Sequence, residues 1–266
     1  SMVTSLGCYY RCTFCDHTRN VRFFSPKYVA DEIEHLKERF GIKEIHFWDE
    51  IFIMTRKRTL DVCNEMINRK LDITWSAYGR LNIIAKNPDL LPLIKKSGCW
   101  YMSFGVESGS QAVRDFIKKD LTEDEIKTAT EIMQEHGIFT RGLFMIGHPV
   151  DNKETINETI DFARSLPLNS AQFNLNIPLP GTEQYEIAPQ YGKFEAENYD
   201  NMSGHASDPV YIPNGLTKEY LVEMQRKAYR TFFSNPVVFL RNAKFVFRNP
   251  DSFRKYASKF LTIVTH

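Results

Sequence analysis

The sequence of 266 residues lacks any apolar run that approaches the roughly 18 residues needed to cross a bilayer. Its N-terminal residues lack the charged and then apolar pattern of a secretory signal peptide. With 42% hydrophobic and 25% charged residues, it lacks the composition of a disordered or collagen-like chain. We therefore expect a cytoplasmic, globular protein, long enough for one barrel-sized domain and an appendage.

Cysteine is scarce and unevenly placed. Only five cysteines are present, and Cys8, Cys12 and Cys15 fall within eight residues of one another. This distribution does not suit a disulfide framework, whereas a tight cluster is typical of metal ligands in a reducing compartment. Cys63 and Cys99 have apolar surroundings in the sequence and are expected to be buried core thiols.

Positive charge is concentrated at the C-terminal end. Residues 217–266 contain ten basic and three acidic residues, a net charge of +7, while the remainder of the chain carries −6. This shift marks a boundary near residues 200–217. We expect a domain of residues 1–188, a connecting segment of residues 189–216 and a basic extension of residues 217–266. Phenylalanines alternate with the basic residues, which favours a helical, amphipathic cap over a barrel mouth. Peripheral contact with an anionic membrane is an alternative, and nucleic-acid binding is less favoured.

Short β-rich runs alternate with helical runs about every 30 residues up to residue 180, which predicts consecutive βα units and a parallel sheet. The six predicted strands are residues 2–5, 44–47, 73–79, 100–106, 140–146 and 170–177. The predicted helices are residues 26–40, 55–70, 88–96, 111–118, 122–136 and 153–166. This order fits either a doubly wound sheet or an incomplete barrel. In both folds, the functional site lies at the C-terminal ends of the strands.

The cysteine spacing C-x3-C-x2-C directly follows the first predicted strand and Gly7. Three thiolates this close select either an iron-sulfur centre or zinc. Zinc needs a fourth ligand, which His17 could supply, whereas a cubane held by three cysteines leaves one iron open. The spacing alone does not decide between them.

The segment GCYYRCTFC resembles the CxxxCxxC signature of radical S-adenosylmethionine (radical SAM) enzymes. The segments FSPKYVADEIEHL, EIHFWDE, GCWYMSFGVESGS, GLFMIGHP and IPLPGTEQYE resemble successive stretches of a subgroup whose members often carry an N-terminal cobalamin-binding domain. The resemblance covers roughly residues 3–188. It implies an α/β fold, a partial (β/α)6 TIM-like barrel with parallel strands, here followed by a mostly helical C-terminal extension.

The resemblance also implies the chemistry. Cys8, Cys12 and Cys15 would hold a 4Fe-4S cluster whose open iron binds S-adenosylmethionine. Reductive cleavage would yield methionine and a 5'-deoxyadenosyl radical, which takes hydrogen from an unidentified substrate, with flavodoxin or a ferredoxin-like protein as electron donor. An alternative is the radical SAM domain of a cobalamin-dependent methyltransferase whose cobalamin domain is not in this sequence. A third hypothesis is a zinc-stabilised, basic binding module.

Several cofactor-binding residues follow from the same resemblance. Phe14 would pack near the adenine, and Asp49 and Glu50, at the end of the second strand, would receive the methionyl amine. Gly147 belongs to a fifth-strand motif whose backbone contacts the adenine. After Pro149 this motif departs from the usual relative, because Val150 and Asp151 stand where a glycine is expected.

Strand alternation supplies three further candidates. Ser103, Gly105 and Glu107 share one face of the fourth predicted strand, and the apolar residues between them share the other. In a barrel the apolar face meets the helices, so Ser103 and Glu107 point inward. By resemblance, Glu107 contacts the ribose hydroxyls or the amine. Arg80, which ends the third strand, is a candidate for the methionyl carboxylate.

Candidate substrate residues lie on the last predicted strand. Gln172, Asn174 and Asn176 alternate with apolar residues and would line the barrel interior. His148 is a weak candidate for a catalytic acid or base. A ring of basic residues from the extension would favour an anionic or lipid-derived substrate by electrostatic steering.

Overall fold

A computed structural model describes residues 1–195 and 209–248 of the chain. In these ranges the strands are β1 (Ser5–Leu6), β2 (Arg22–Phe23), β3 (Glu44–Phe47), β4 (Thr74–Tyr78), β5 (Cys99–Glu107), β6 (Phe139–Ile146), β7 (Ser170–Leu175), β8 (Gly192–Phe194) and β9 (Tyr211–Pro213). The α-helices are α1 (Pro26–Phe40), α2 (Arg56–Asn68), α3 (Leu81–Lys86), α4 (Leu90–Lys96), α5 (Gln111–Phe116), α6 (Glu123–Glu135), α7 (Lys153–Ser165), α8 (Glu183–Ile187), α9 (Lys218–Phe233) and α10 (Pro236–Arg248).

The central sheet is parallel, with strand order β3-β4-β5-β6-β7. Consecutive strands are therefore neighbours, and the helices between them return the chain to the same edge. This is the order of a partial TIM-like barrel, and it confirms the predicted fold class. The alternative of a doubly wound sheet is wrong, because that fold reverses its strand order.

The first predicted strand differs from expectation. Within residues 2–5, only Met2 joins the central sheet, through an isolated parallel bridge to Phe47. Ser5 pairs instead with Phe23 in the antiparallel β1-β2 ladder. The physical reason is that the amides of Thr4 and Ser5 donate to the Asp49 carboxylate, at 2.5 Å and 2.9 Å, rather than to a neighbouring strand. The sheet consequently has five strands, and the first predicted strand contributes only the Met2 bridge to it.

Local sequence signals account for the helix boundaries. The Ser25 side chain caps α1 by accepting from the amide of Tyr28, and α1 ends at Gly41, which has a left-handed φ of 62°. The hydroxyl of Thr122 and the side chain of Glu125 form a reciprocal capping box at the start of α6. These caps fix where each connection begins and hence where each following strand enters the sheet.

The hydrophobic core lies between the sheet and its helices. Phe47, Phe52 and Trp75 form one aromatic group, in which the Phe47 and Phe52 rings stack at 4.2 Å between centroids. Phe144 and Phe173 stack at 5.2 Å on the adjoining strands β6 and β7. All five side chains are buried. This packing holds the strands in register, so that their C-terminal ends form one rigid edge.

Helix α9 covers the exposed edge of β7. The Gln225 side chain donates to the carbonyl oxygen of Phe173 at 2.8 Å, and the Phe173 amide donates to the Tyr229 hydroxyl at 3.1 Å. These contacts satisfy backbone groups that an edge strand leaves unpaired.

Helix α10 lies at the opposite end of the barrel from the predicted position. Phe245 packs against Phe139 at 5.3 Å between ring centroids, in a buried cluster with Trp100 and Tyr101. All three partners stand at the N-terminal ends of β5 and β6. The prediction of a cap over the barrel mouth is therefore wrong for α10, because its apolar face matches the aromatic lower end. Residues 196–208 and 249–266, which include Phe253 and three of the basic residues, lie outside the described ranges.

None of the helices in the described ranges is both long and apolar enough to cross a membrane.

Candidate cofactor-binding site

The cysteine motif lies in a loop that folds back on itself. Gly7, with φ of 83°, starts the loop, and a Cβ atom there would lie 2.7 Å from the carbonyl oxygen of Thr18. The Cys8 amide donates to the same oxygen at 3.0 Å. Glycine is needed at this point because the chain must combine a left-handed turn with this close approach. The turn directs the cysteines toward the C-terminal ends of β4 and β5.

The three cysteines line one cavity. Among the predicted site residues, its wall contains Cys8, Cys12, Phe14, Cys15, Glu50, Arg80 and Glu107. Tyr10, His17, Tyr78, Gly105, Lys119 and Leu143 also line it. The other predicted site residues, described below, are not part of this wall.

The cysteine thiols fit an iron-sulfur cluster by their chemistry. All three are free, Cys8 and Cys12 are buried, and Cys15 is half-buried. Burial raises the pKa of Cys8, while burial and then the neighbouring Cys12 raise the pKa of Cys15 to about 12. Crowded thiols of this kind retain their protons until metal replaces them. In the described part of the chain, no group of three His, Cys, Asp or Glu side chains is close enough together to hold a single metal ion. The fit to a cluster therefore rests on the three cysteine sulfur atoms that line the same cavity.

A buried ion pair stands opposite the cysteines. Lys119 Nζ lies 2.7 Å from Glu107 Oε1, and both side chains are less than a tenth exposed. Glu107 has a φ of 67°, an uncommon value for a residue other than glycine. A Cβ atom at Gly105 would lie 1.9 Å from Glu107 Oε1 and 2.7 Å from Lys119 Nζ. The glycine of the GVES segment therefore provides the space that this pair occupies.

Sequence reasoning missed Lys119. The residue follows α5 in a connection where Lys118 and Asp120 both have positive φ, at 53° and 48°. In the sequence, this position is the second of two lysines at a helix end, and nothing distinguishes it from exposed Lys118. The pair with Glu107 brings it into the cavity, where its ammonium also lies 5.9 Å from the centroid of the Phe14 ring.

Arg80 lies beside the cysteine loop. Its guanidinium carbon is 3.6 Å from the centroid of the Tyr10 ring, and Nη1 lies 3.9 Å from Cys12 Sγ. Nη2 donates to the carbonyl oxygen of Lys119. The remaining Nε–H is buried without a hydrogen-bond partner. Arg80 is thus a cavity cation, and it retains a donor that no protein group satisfies.

Asp49 and Glu50 differ in their surroundings. Buried Asp49 accepts hydrogen bonds from the amides of Thr4 and Ser5 and, at 2.5 Å, from the Thr4 hydroxyl. These bonds hold the segment that leads into the cysteine loop. Glu50 lines the cavity instead. Of the two predicted carboxylates, Glu50 is the one whose position allows direct contact with a bound molecule.

His148 is completely buried next to the cavity. Its ring lies 6.1 Å from the Phe14 ring, and its Nδ1 atom is 3.3 Å from Gln184 Nε2. Burial, assisted by the positive charge of Lys119, lowers the pKa of His148 to about 3. The imidazole is therefore neutral near pH 7.

The departure from the family motif after Pro149 has a structural role. Asp151 accepts from the amides of Gly147 and His148, both at 2.9 Å, while Gly147 turns with φ of 91°. The Thr155 hydroxyl donates to the second oxygen of Asp151 at 2.6 Å. Burial outweighs these hydrogen bonds and raises the pKa of Asp151 to about 6. Its side chain thus supports the turn at the position where a glycine was expected.

The remaining predicted residues lie on the inner strand faces. Gln172 Nε2 donates to Asn174 Oδ1 at 2.8 Å, and both side chains are half-exposed. Asn176 is buried, and neither its amide nitrogen nor its oxygen has a partner. Ser103 donates to the Tyr101 hydroxyl at 3.1 Å.

Comparisons with known proteins found related sequences. The family model of the Radical SAM superfamily matches residues 2–163. An uncharacterised methyltransferase of Pyrococcus horikoshii is 32% identical over 91% of this chain and 52% of its own length. An anaerobic magnesium-protoporphyrin IX monomethyl ester cyclase of Rubrivivax gelatinosus is 29% identical over 86% of this chain and 41% of its own length. The chain thus spans about half the length of the curated relatives it matches.

Solved structures share the fold. The radical S-adenosylmethionine methyltransferase TsrM from Kitasatospora setae, with cobalamin and a [4Fe-4S] cluster bound, is 20% identical, with a TM-score of 0.66 over 85% of this chain and 46% of TsrM. The cobalamin-dependent S-adenosylmethionine radical enzyme OxsB is 23% identical, with a TM-score of 0.56 over 71% of this chain and 29% of OxsB.

Proposed function

The chain belongs to the radical SAM superfamily, and we propose that it forms the catalytic barrel of a cobalamin-dependent methyltransferase. One observation carries the catalytic assignment: Cys8, Cys12 and Cys15 share a single cavity with the Glu107–Lys119 pair and Arg80. Methyl transfer is supported by the methyltransferase of Pyrococcus horikoshii and by the cobalamin-dependent enzymes that share the fold.

The cofactors and the chain have separate tasks. When bound, the 4Fe-4S cluster supplies the electron that cleaves S-adenosylmethionine into methionine and a 5'-deoxyadenosyl radical. Cys8, Cys12 and Cys15 would hold this cluster through their sulfur atoms. The surrounding aromatic and aliphatic wall, which includes Phe14 and Leu143, would exclude water from the reacting atoms.

The Glu107–Lys119 pair suits the zwitterionic methionyl group of S-adenosylmethionine. Lys119 Nζ and Glu107 Oε1 lie 2.7 Å apart, so each side chain neutralises the charge of the other. An amino acid group carries both charges, so its carboxylate can bind Lys119 while its ammonium binds Glu107, and neither protein charge is left unpaired. The free Nε–H of Arg80 offers a further hydrogen bond to the carboxylate, and Glu50 offers one to the amine or the ribose.

The roles of the other site residues follow from their contacts. Phe14 and the Gly147 turn would border the adenine, with neutral His148 packed behind Phe14. Asp49 would position the cysteine loop through Thr4 and Ser5. Ser103, Asn174 and Asn176 would face the substrate from the inner strand surfaces.

The reaction needs a reductant and a substrate. We propose flavodoxin or a ferredoxin-like protein as the donor, a cytoplasmic location, and an anionic or lipid-derived substrate.

Hydrogen abstraction without methyl transfer is the second candidate function. It is favoured by the relative of Rubrivivax gelatinosus, which is a cyclase and matches 86% of this chain. One product separates the two functions. The radical that takes hydrogen becomes 5'-deoxyadenosine in both, whereas only methyl transfer from S-adenosylmethionine releases S-adenosylhomocysteine.

The test is anaerobic reconstitution with iron and sulfide, followed by reduction in the presence of S-adenosylmethionine, with and without cobalamin. We expect 5'-deoxyadenosine in both samples, and S-adenosylhomocysteine only where cobalamin is present. Release of 5'-deoxyadenosine alone, even with cobalamin bound, would exclude methyl transfer and leave the second candidate. Absence of both products, with a full cluster, would contradict the catalytic assignment.

A further inference from the structure

A cationic side chain lies inside the barrel, next to the cysteine cavity. Tyr78 of β4, Ser103 of β5 and Arg141 of β6 are paired in register across three neighbouring strands. Tyr78 also lines the cavity, and so does Leu143, two residues beyond Arg141 on β6. At about 3.3 Å per residue, the Arg141 Cα atom stands roughly 7 Å below the cavity wall along the strand.

In the part of the chain that the structure describes, Arg141 has no counter-charge. Its Nη2 donates to the side-chain oxygen of Gln172, and its Nε is buried without a hydrogen-bond partner. Within residues 1–195 and 209–248, no carboxylate forms an ion pair with it. Lys119, by contrast, forms an ion pair with Glu107 at 2.7 Å.

Gln172, Tyr78 and Tyr229, which interact with Arg141, are uncharged side chains. Burial raises the pKa values of Tyr78 and Tyr229, and the positive charge of Arg141 opposes both increases. A partly buried charge without an opposite charge beside it lowers the stability of the folded chain. A bound anion would offset this loss of stability.

We propose that Arg141 binds an oxyanion group of the substrate, a carboxylate or a phosphate, inside the barrel. This inference rests on the proposed function, and it defines the substrate class as acidic. The guanidinium presents parallel N–H groups that match two oxygens of such an anion. Gln172 and Asn174 lie beside it and are half-exposed, so solvent reaches this face and the Asn174 amide can complete the hydrogen bonding.

The experiment measures anion binding on the cluster-free chain and needs no turnover. The side-chain Nε–H signal of Arg141 is followed by nitrogen-15 NMR during separate titrations with benzoate and inorganic phosphate at constant ionic strength. The signal is assigned to Arg141 because it is absent from the spectrum of Arg141→Lys. We expect a saturable shift of this signal with at least one anion. Saturation by benzoate alone assigns a carboxylate, and saturation by phosphate alone assigns a phosphate.

Variants locate the binding event. In thermal unfolding, the anion that saturates the NMR signal should raise the wild-type midpoint. Arg141→Gln should weaken the apparent affinity at least tenfold. Arg141→Lys should weaken the affinity less, because lysine keeps the positive charge but lacks the two parallel N–H groups of the guanidinium. The matched control is Arg164→Gln, which removes an exposed arginine of α7 and should respond as the wild type does.

The inference is overturned if neither anion shifts the Arg141 signal, or if Arg141→Gln and Arg164→Gln respond equally. Because these measurements use neither cluster nor S-adenosylmethionine, they separate the two proposals. Anion binding in a chain that fails to cleave S-adenosylmethionine would refute the proposed function alone, and cleavage without anion binding would refute this inference alone.

Discussion

The two ends of the parallel sheet are built on different principles. At the lower end, where the strands begin, Phe139 and Phe245 close the barrel with aromatic contacts. Asn169 and Asn242 satisfy each other there through two hydrogen bonds of 3.0 Å. At the upper end, three thiols, a buried ion pair and the unsatisfied Nε–H of Arg80 surround a cavity.

This difference separates stability from function. At the lower end, the side-chain amides of Asn169 and Asn242 have protein partners, so their hydrogen bonds already contribute to the stability of the folded chain. The upper end keeps groups whose partners would come from a ligand, and Glu107 holds an uncommon backbone conformation there. Lower-end substitutions should therefore reduce stability alone, whereas upper-end substitutions should reduce cofactor binding.

The cysteines should show the largest effect. Replacing Cys8, Cys12 or Cys15 with alanine removes one of three sulfur ligands, so we expect loss of cluster incorporation and of 5'-deoxyadenosine formation. Reconstituted wild type should contain about four iron and four sulfide per chain. Cys63→Ala and Cys99→Ala are the controls, because both thiols lie in the core. Stoichiometric zinc without iron uptake would contradict the assignment.

The lower end should lose the most stability. Phe245→Ala removes a buried ring, so the free energy of unfolding should fall by about 3–5 kcal/mol, measured by denaturant titration. Phe247→Ala, whose ring is 86% exposed on the same helix, should change it by less than about 0.5 kcal/mol. The folded Phe245 variant should bind S-adenosylmethionine with unchanged affinity. Weakened binding in that variant would break the separation between the two ends.

Lys119 tests the upper end. Lys119→Met should weaken S-adenosylmethionine binding by about 1.5–3 kcal/mol, roughly 10- to 150-fold in Kd, because one charge-assisted hydrogen bond is lost. Lys118→Met is the matched control, since Lys118 is about half exposed and pairs with Glu183 on the surface. Equilibrium dialysis of the cluster-loaded variants measures the affinity. Equal Kd values for both would remove Lys119 from the site.

The smallest effect is a pH dependence at the upper end. Folding lowers the pKa of His148 to about 3, so between this value and about 6.5 only the unfolded chain takes up the proton. The stability linked to His148 is therefore complete above pH 6.5 and declines as the pH falls.

His148→Gln removes this linkage. From pH 4 to pH 6, the free energy of unfolding of the wild type relative to the variant should rise by about 1.4 kcal/mol per pH unit. Exposed His35→Gln is the control and should follow the wild type. A constant difference between wild type and His148→Gln would show that His148 is protonated equally in both states. Asp151, whose pKa is raised to about 6, should act in the opposite direction.

Much of the fold was predictable because its signals are local. The βα alternation, the cap at Ser25 and the left-handed Gly41 each depend on neighbouring residues, and the structure confirms them. The cysteine motif was recognisable for the same reason, since its three ligands lie in one loop. The family match confirms the enzyme class that this motif and its surrounding segments predicted.

Contacts between segments far apart in the chain escaped this reasoning. Lys119 joins the cavity only through Glu107, and Asp49 is engaged by Thr4 and Ser5, 45 and 44 positions away. Arg141 gave no signal as a strand residue between Thr140 and Gly142. Its significance depends on the strands beside it, which provide no counter-charge.

The sequence by itself determined most of the βα elements and the three clustered thiols, because hydrophobic periodicity and caps record what each residue does within its own segment. Only the tertiary structure decided the strand order, which end of the sheet α10 covers, which of two adjacent lysines enters the cavity, and that Arg141 lacks a carboxylate partner among the described residues. These outcomes depend on packing between segments far apart in the chain, because the shape and charge of one surface decide which side chain packs against it.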